Sequence, residues 1–432
     1  MIPPDVLMEQ PIPLRNPLLF YIGHIPTFED IHLARATDSA PTEPAYYHTM
    51  FERGIDPDID NPSICHDHSE LPDVFPPLEE ILMYCERVRM RIRSLHETGK
   101  ACVNRCAGRA LWIGFEHEAL HVETFLFMTI QSPNIRPPPE IPKPDFDMLA
   151  EKAARHRVKN EWFRIPRQTL TIGFHDPETD TGPDRFFAWD NEREPYDTQV
   201  HRFETQGRPV SNGEYADYLI TTKQSEIPAT WSRTANSRHR GDDYGSFISG
   251  HSVKTVWGHI PLGQALDWPV MASFNLVQGY ARWAGARLPS LHELRSIHEY
   301  AEQRGKGRPN SKVDKTPHTD PRALFVDLMG TSSGFRNFHP VSITHIKAVC
   351  GLGNTGGAAE WTSNLFQSQP GFKPMDIYPG YSADFMDGKH IAIVGGSWAL
   401  HPRLAGQKSF LNWWQRGYAW PWVTFRLVRD IE

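Results

Sequence analysis

The sequence predicts an α+β protein of two domains, the first helical and the second mixed. Three observations carry this. Apolar residues recur at close to 3.6 spacing in the first third, at Leu78, Ile81, Leu82, Val88, Ile92 and Leu95, and helical periodicity returns between Ala107 and Gln131. A proline-rich stretch, Arg136-Pro-Pro-Pro-Glu-Ile-Pro-Lys-Pro144, then interrupts it. From Trp162 the texture changes to short apolar runs set among Gly, Asn, Asp and Trp. A chain of 432 residues suits two or three domains. They are expected at 1–135 and 161–432, joined by a stiff linker over 136–160.

Taken in order, a short helix is expected around His24, and Leu33 to Phe75 reads as long and turn-rich. Pro77 suits a first helical turn, because its fixed φ is already helical, and starts a helix that runs through Leu95. Ala107 to Gln131 is a second helix. In the mixed part, helices are expected over Ser211–Thr221 and Ser273–Ala284. A third follows Ser290-Leu-His-Glu293, a capping box in which serine and glutamate satisfy each other's backbone N–H groups.

Composition narrows the function. Hydrophobic content of 39% and charged content of 22% fit a soluble globular protein. A net charge of -7 with no basic block argues against a nucleic-acid partner. No apolar run reaches the length of a membrane span, and Met1-Ile-Pro-Pro-Asp-Val-Leu-Met8 lacks the regions of a signal peptide. Five scattered cysteines, Cys65, Cys85, Cys102, Cys106 and Cys350, suit reduced thiols and a cytoplasmic location.

The most informative feature is His117-Glu-Ala-Leu-His121. On a helix, positions i and i+4 share a face, so both imidazoles can address one metal ion if a third ligand arrives from elsewhere. Metal sites in helical bundles draw on facing helices, which makes His24 the candidate third ligand. Glu118 and Glu123 are alternative carboxylates, with Glu123 better placed to orient a ligand. Three histidines suit zinc as well as iron on ligand chemistry alone.

Further segments carry a family signature. Asn16-Pro-Leu-Leu-Phe-Tyr-Ile-Gly-His24 and His117-Glu-Ala-Leu-His121-Val-Glu123 resemble the DinB-like iron-binding half of the ergothioneine-type sulfoxide synthases. Phe187-Ala-Trp-Asp-Asn-Glu192, Val210-Ser-Asn-Gly-Glu-Tyr215, Ala281-Arg-Trp-Ala-Gly-Ala-Arg-Leu-Pro289, Glu360-Trp-Thr362, Gly395-Gly-Ser-Trp398 and Phe425-Arg-Leu-Val-Arg429 resemble their second half. That half is similar to formylglycine-generating enzymes and has a C-type-lectin-like fold. The likeness spans nearly the whole chain and points to the sulfoxide synthase part of the fungal bifunctional proteins.

The resemblance implies an Fe(II) cofactor held by His24, His117 and His121, with cysteine, trimethylhistidine and O2 as substrates. It implies Tyr378 as the catalytic proton donor and Tyr381 as its neighbour in the pocket. Asn412 and Trp413 fall on the segment that contacts the histidine-type substrate, where an aromatic face suits a trimethylammonium group. Trp414 stands where bacterial members carry an acidic residue for a γ-glutamyl-cysteine donor, which favours free cysteine here. Arg87 matches the arginine that grips the donor carboxylate. The first helix of a four-helix bundle is expected to be missing, leaving an apolar face for a homodimer or partner chain to cover. An ovothiol-type synthase using unmethylated histidine and a truncated, non-catalytic homologue are the alternatives. Formylglycine generation needs paired cysteines, whereas Cys350 alone lies beyond residue 106.

Overall fold

Prolines set where the long helices of the first part begin. Pro17 and Pro77 stand in extended conformation immediately ahead of α1 (Leu18–Thr37) and of the helix Leu78–Glu97. Between them lies a single turn, α2 (Tyr47–Met50), so Leu78–Glu97 is α3. After α4 (Lys100–Val103) comes α5 (Arg105–Thr129), capped by Asn104, whose Oδ1 accepts the Ala107 N–H at 3.0 Å. The structure, a computed structural model, describes residues 1–54, 56–65, 69–173, 175–176, 187–234, 243–305, 326, 331–345 and 354–431. Cys350 lies outside them.

The helix expected to be short around His24 is 20 residues long and contains Pro26. Burial explains its length, since most of α1 from Leu18 to Leu33 is buried and the helix packs against both α3 and α5. Helix α3 carries Leu82, Met83 and Met90 about half exposed, at 48, 54 and 52%. The proline-rich segment holds a further helix, α6 (Phe146–His156), started by Asp145, which accepts the Met148 N–H at 2.9 Å. Phe146 is buried in the core of the mixed part, 5.8 Å from the Trp268 ring, so this segment is packed rather than merely spanning.

The strands of the mixed part are short, as the turn-rich sequence implies. They are β1 (Trp162–Ile165), β2 (Gln168–Ile172), β3 (Tyr196–Val200), β4 (Phe203–Gln206), β5 (Trp231–Arg233) and β6 (His251–Thr255). There follow β7 (Gly258–Pro261), β8 (Ala359–Leu365), β9 (His390–Val394), β10 (Asn412–Gln415), β11 (Val423–Thr424) and β12 (Val428–Asp430). They form sheets ordered β1-β4-β12, β2-β3, β5-β6-β7 and β10-β9-β8-β11. The helices of this part are α7 (Asn212–Thr222), α8 (Tyr244–Ser249), α9 (Phe274–Trp283), α10 (Leu291–Gly305), α11 (Gly380–Ala383) and α12 (Pro402–Ala405). The expected capping box at Ser290 is present: Glu293 Oε2 accepts the Ser290 N–H at 2.7 Å, and Ser290 Oγ accepts the Glu293 N–H at 3.2 Å.

Apolar packing and buried charge both join the parts. One hydrophobic cluster runs from Leu18, Phe20, Tyr21 and Phe127 into Trp398, Tyr418 and Trp422. Arg109 on α5 reaches Asp176 at 2.6 Å, both side chains being buried, and Arg105 joins the same carboxylate. Within the mixed part, Glu360 and Arg426 form a fully buried bidentate pair at 2.6 and 3.0 Å. No helix among the described residues is long and apolar enough to cross a membrane.

Candidate metal centre and substrate cavity

Helices α1 and α5 deliver the three histidines. Their close approach depends on Gly114, where a Cβ would stand 2.6 Å from Glu29 Cδ of α1. One turn apart on α5, His117 and His121 bring their Nε2 atoms to 3.0 Å. His24 completes the group, with one ring nitrogen from each residue lying within 4.8 Å of the others. The Phe51 carbonyl can only accept, so His24 Nδ1, at 2.7 Å, carries the proton and Nε2 keeps its lone pair. Phe28 lies flat on the His117 ring, centroids 3.6 Å apart, and Thr124 Oγ1 stands 3.3 Å from His121 Nδ1.

Burial holds all three imidazoles neutral. It pushes His24 down to about 4 and His117 and His121 well below the ordinary histidine value. These rings therefore offer lone pairs rather than charges, as metal ligands must. The donor set fits a divalent first-row ion. Two nitrogens about 2.1 Å from one ion, roughly at right angles, stand close to 3 Å apart, and the His117–His121 separation matches. Neither carboxylate weighed from the sequence joins them. Glu118 is exposed, and buried Glu123 accepts the Ser397 N–H at 2.9 Å, tying α5 to the loop after β9.

The histidines open onto a cavity of ≈ 180 Å³ at the junction of the two parts. Tyr378, Tyr381, Asn412, Trp413 and Trp414 all line it. Tyr378 stands edge-on to Phe28 and His32, at 5.5 and 5.4 Å, with the Arg53 guanidinium 5.4 Å from its ring centre. Burial pushes its phenol up to about 12, with Arg53 pulling it back, so near neutral pH it is a protonated donor. Tyr381, held well above the ordinary tyrosine value by burial, stacks on Trp189 at 4.0 Å. Trp413 has one face stacked on Phe366 at 4.1 Å, with Tyr381 and Phe385 at 5.5 and 5.3 Å. Asn412 Oδ1 accepts the Trp413 N–H at 2.8 Å. Trp414 stacks on Tyr418 at 5.0 Å.

Arg87 is the expected site residue that the structure does not bring in. Its helix, α3, packs on α1 and supplies no residue to the cavity wall, and Arg87 Nε donates instead to the Glu43 carbonyl at 2.8 Å. The arginines that do line the cavity are Arg15 and Arg53, together with Asp56, His390, Gln415 and Tyr418. None of these was singled out from the sequence. Arg15 gave one signal, a lone charge leading into the apolar start of α1. Arg53 and Asp56 fall in turn-rich sequence whose periodicity carries no information.

Residues 152–431 match the family described as sulfatase-modifying factor enzyme 1-like domain. The ergothioneine biosynthesis protein 1 of Neurospora crassa is 45% identical over 488 residues, covering 100% of this chain and 56% of the relative. The protein of the same name in Schizosaccharomyces pombe is 31% identical, covering 97% of this chain and 52% of the relative. The hercynine oxygenase of Mycolicibacterium smegmatis is 27% identical, covering 94% and 89%. The chain thus spans about half the length of the two fungal relatives. The resemblance read from the sequence is borne out, and the α+β arrangement of a helical part followed by a mixed one stands with it. The chain belongs to the sulfatase-modifying factor enzyme 1-like family, and its likeness to the ergothioneine proteins runs through both of its parts.

Proposed function

We propose that this chain is an Fe(II)- and O2-dependent oxidoreductase that joins the sulfur of cysteine to the imidazole of trimethylhistidine as a sulfoxide, a step of ergothioneine formation. The observation that carries the reading is the group of three neutral imidazoles, His24 and His117 buried and His121 half-buried, facing the same cavity as Tyr378 and Trp413. The names of the relatives, ergothioneine biosynthesis protein 1 and hercynine oxygenase, support it.

His24, His117 and His121 would hold the iron, which when bound supplies oxygen activation and a thiolate-binding position. The residues around it do the rest. Buried rings exclude water from the histidines, and collecting the reactants in one small cavity supplies proximity. Tyr378 holds a proton on its phenol oxygen and presents it to the oxidation from the cavity wall. Trp413, backed by Phe366 and flanked by Tyr381 and Phe385, offers aromatic surface to a trimethylammonium group.

The test is anaerobic loading with Fe(II), then oxygen with cysteine plus trimethylhistidine, cysteine plus histidine, or cysteine alone, read by mass spectrometry. A sulfoxide adduct with trimethylhistidine is expected. An adduct with histidine alone would move the chain to the ovothiol type. No oxygen uptake by the iron-loaded protein would overturn the reading.

A further inference from the structure

Where the cavity meets Trp414, two charged groups, buried Arg15 and half-buried Asp56, are each half satisfied. Arg15, 7% exposed, donates from Nε to Tyr418 Oη at 2.7 Å and to Asp56 Oδ2 at 3.2 Å, and from Nη2 to Asp56 Oδ2 at 3.0 Å. Its Nη1 has no hydrogen-bond partner among the described residues, although Arg15 lines the cavity. Asp56 shows the complementary defect, because its Oδ1 is buried and unpartnered while Oδ2 is taken by Arg15. Leaving the buried Asp56 Oδ1 unmatched has a cost, and Arg15 on the same cavity wall has a donor to spare, so a ligand that brings both a donor and an acceptor satisfies the two. The guanidinium plane is fixed by Tyr21, Phe127, Trp414 and Tyr418, with Cζ 5.9, 5.3, 5.7 and 5.9 Å from their ring centres.

We infer that Arg15 and Asp56 form a seat for the backbone of a free α-amino acid, Nη1 taking its carboxylate and Asp56 Oδ1 its ammonium. This rests on the proposed function, and within it the occupant is the sulfur donor. A trimethylated nitrogen has no N–H to give Asp56, and an N-acylated cysteine has lost its own ammonium, so among donors seated by the cysteine backbone unblocked cysteine is the chemistry that fits. Position agrees. Arg15 lines the same cavity as His24 and His121 and lies near enough to act on both electrostatically. Successive residues of β10 leave opposite faces of the strand. Trp413 therefore serves the aromatic side with Phe366, and Trp414 the charged side with Tyr418 and Arg15. The two substrates thereby occupy different sides of one cavity. Arg15 and Asp56 supply the donor specificity that the sequence had assigned to Arg87.

The experiment uses the full chain loaded with cobalt(II), whose thiolate charge-transfer absorption reports binding without turnover. Cysteine, cysteamine, 3-mercaptopropionate and N-acetylcysteine are titrated in turn. Cysteine should bind roughly tenfold or more tightly than each analogue, the analogues having lost a charge-assisted contact. Asp56→Asn should remove the advantage over 3-mercaptopropionate, and Arg15→Gln the advantage over cysteamine, with melting curves showing that both variants fold. The analogue series on the unmodified chain decides the matter even where a variant fails to fold. Four thiols binding within about twofold of one another would overturn the seat and leave the proposed function standing. No charge-transfer band with any thiol on cobalt-loaded protein would overturn the sulfur-donor reading and the seat together.

Discussion

Replacing His24 by glutamine should flatten the acid sensitivity of the metal-free protein by an amount that follows from burial. The His24 imidazole is 3% exposed, and its folded-state value is pushed down to about 4 from 6.5. Between those values the unfolded chain binds a proton that the folded chain refuses. Stability is therefore intact above 6.5 and is lost as pH falls toward 4. Integrated from about pH 7.5 to about pH 5, one such group removes about 2 kcal/mol. His117 and His121 act in the same direction. Glu29, Glu116 and Glu192, pushed up by burial to about 8, 8 and 7, act oppositely. Their stabilising protons are in place below 4.5 and their contribution fades as pH rises through the folded values. Because the three glutamates are common to both proteins, the difference between wild type and His24→Gln reports His24 together with the lowering it imposes on His117 and His121, which has the same sign. The assay is urea unfolding of metal-free wild type and His24→Gln at the two pH values. The variant should lose about 2 kcal/mol less on acidification. Parallel losses, agreeing within about 0.5 kcal/mol, would refute a neutral, buried His24.

Three other substitutions probe different parts of the account. Tyr378→Phe keeps the ring against Phe28 and His32 but removes the proton, so adduct formation should fall by roughly 10²–10⁴ while cysteine sulfinate rises; an unchanged product ratio would contradict the donor role. Phe28→Ala removes the ring stacked on His117 and should weaken metal binding by roughly 10–100-fold in a competition with a coloured chelator; wild-type affinity would show that the stack does not orient the ligand. Glu360→Gln leaves the fully buried Arg426 uncompensated and should cost about 3–5 kcal/mol in urea unfolding, and a loss below about 1 kcal/mol would mean that the pair is hydrated.

The helical part was legible because its signals are local. His117 and His121 are four residues apart on a helix whose period is written in the apolar residues around them, and the Ser290 capping box needs only a four-residue window. Pairing them with His24 took the family resemblance and the expectation that facing helices share a site. The length of α1 was misjudged because Pro26 argues locally for a break, whereas packing between α3 and α5 sustains the helix. The charged side of the cavity was illegible for a different reason. Arg15 meets Asp56 across 41 positions and Tyr418 across 403, and no periodicity encodes a contact between loops. Arg87 was selected by motif position, but the side of α1 on which α3 packs is a tertiary fact, and it takes Arg87 to the Glu43 carbonyl.

The measurement that bears most directly on the central claim is metal stoichiometry after anaerobic Fe(II) loading and gel filtration, on wild type and on His24→Gln, His117→Gln and His121→Gln. The account predicts about one iron per chain in wild type and at least roughly a tenfold loss of affinity in each variant, since three ligands hold one ion. Iron retained undiminished by all three variants, or absent from a folded wild-type protein, would contradict it.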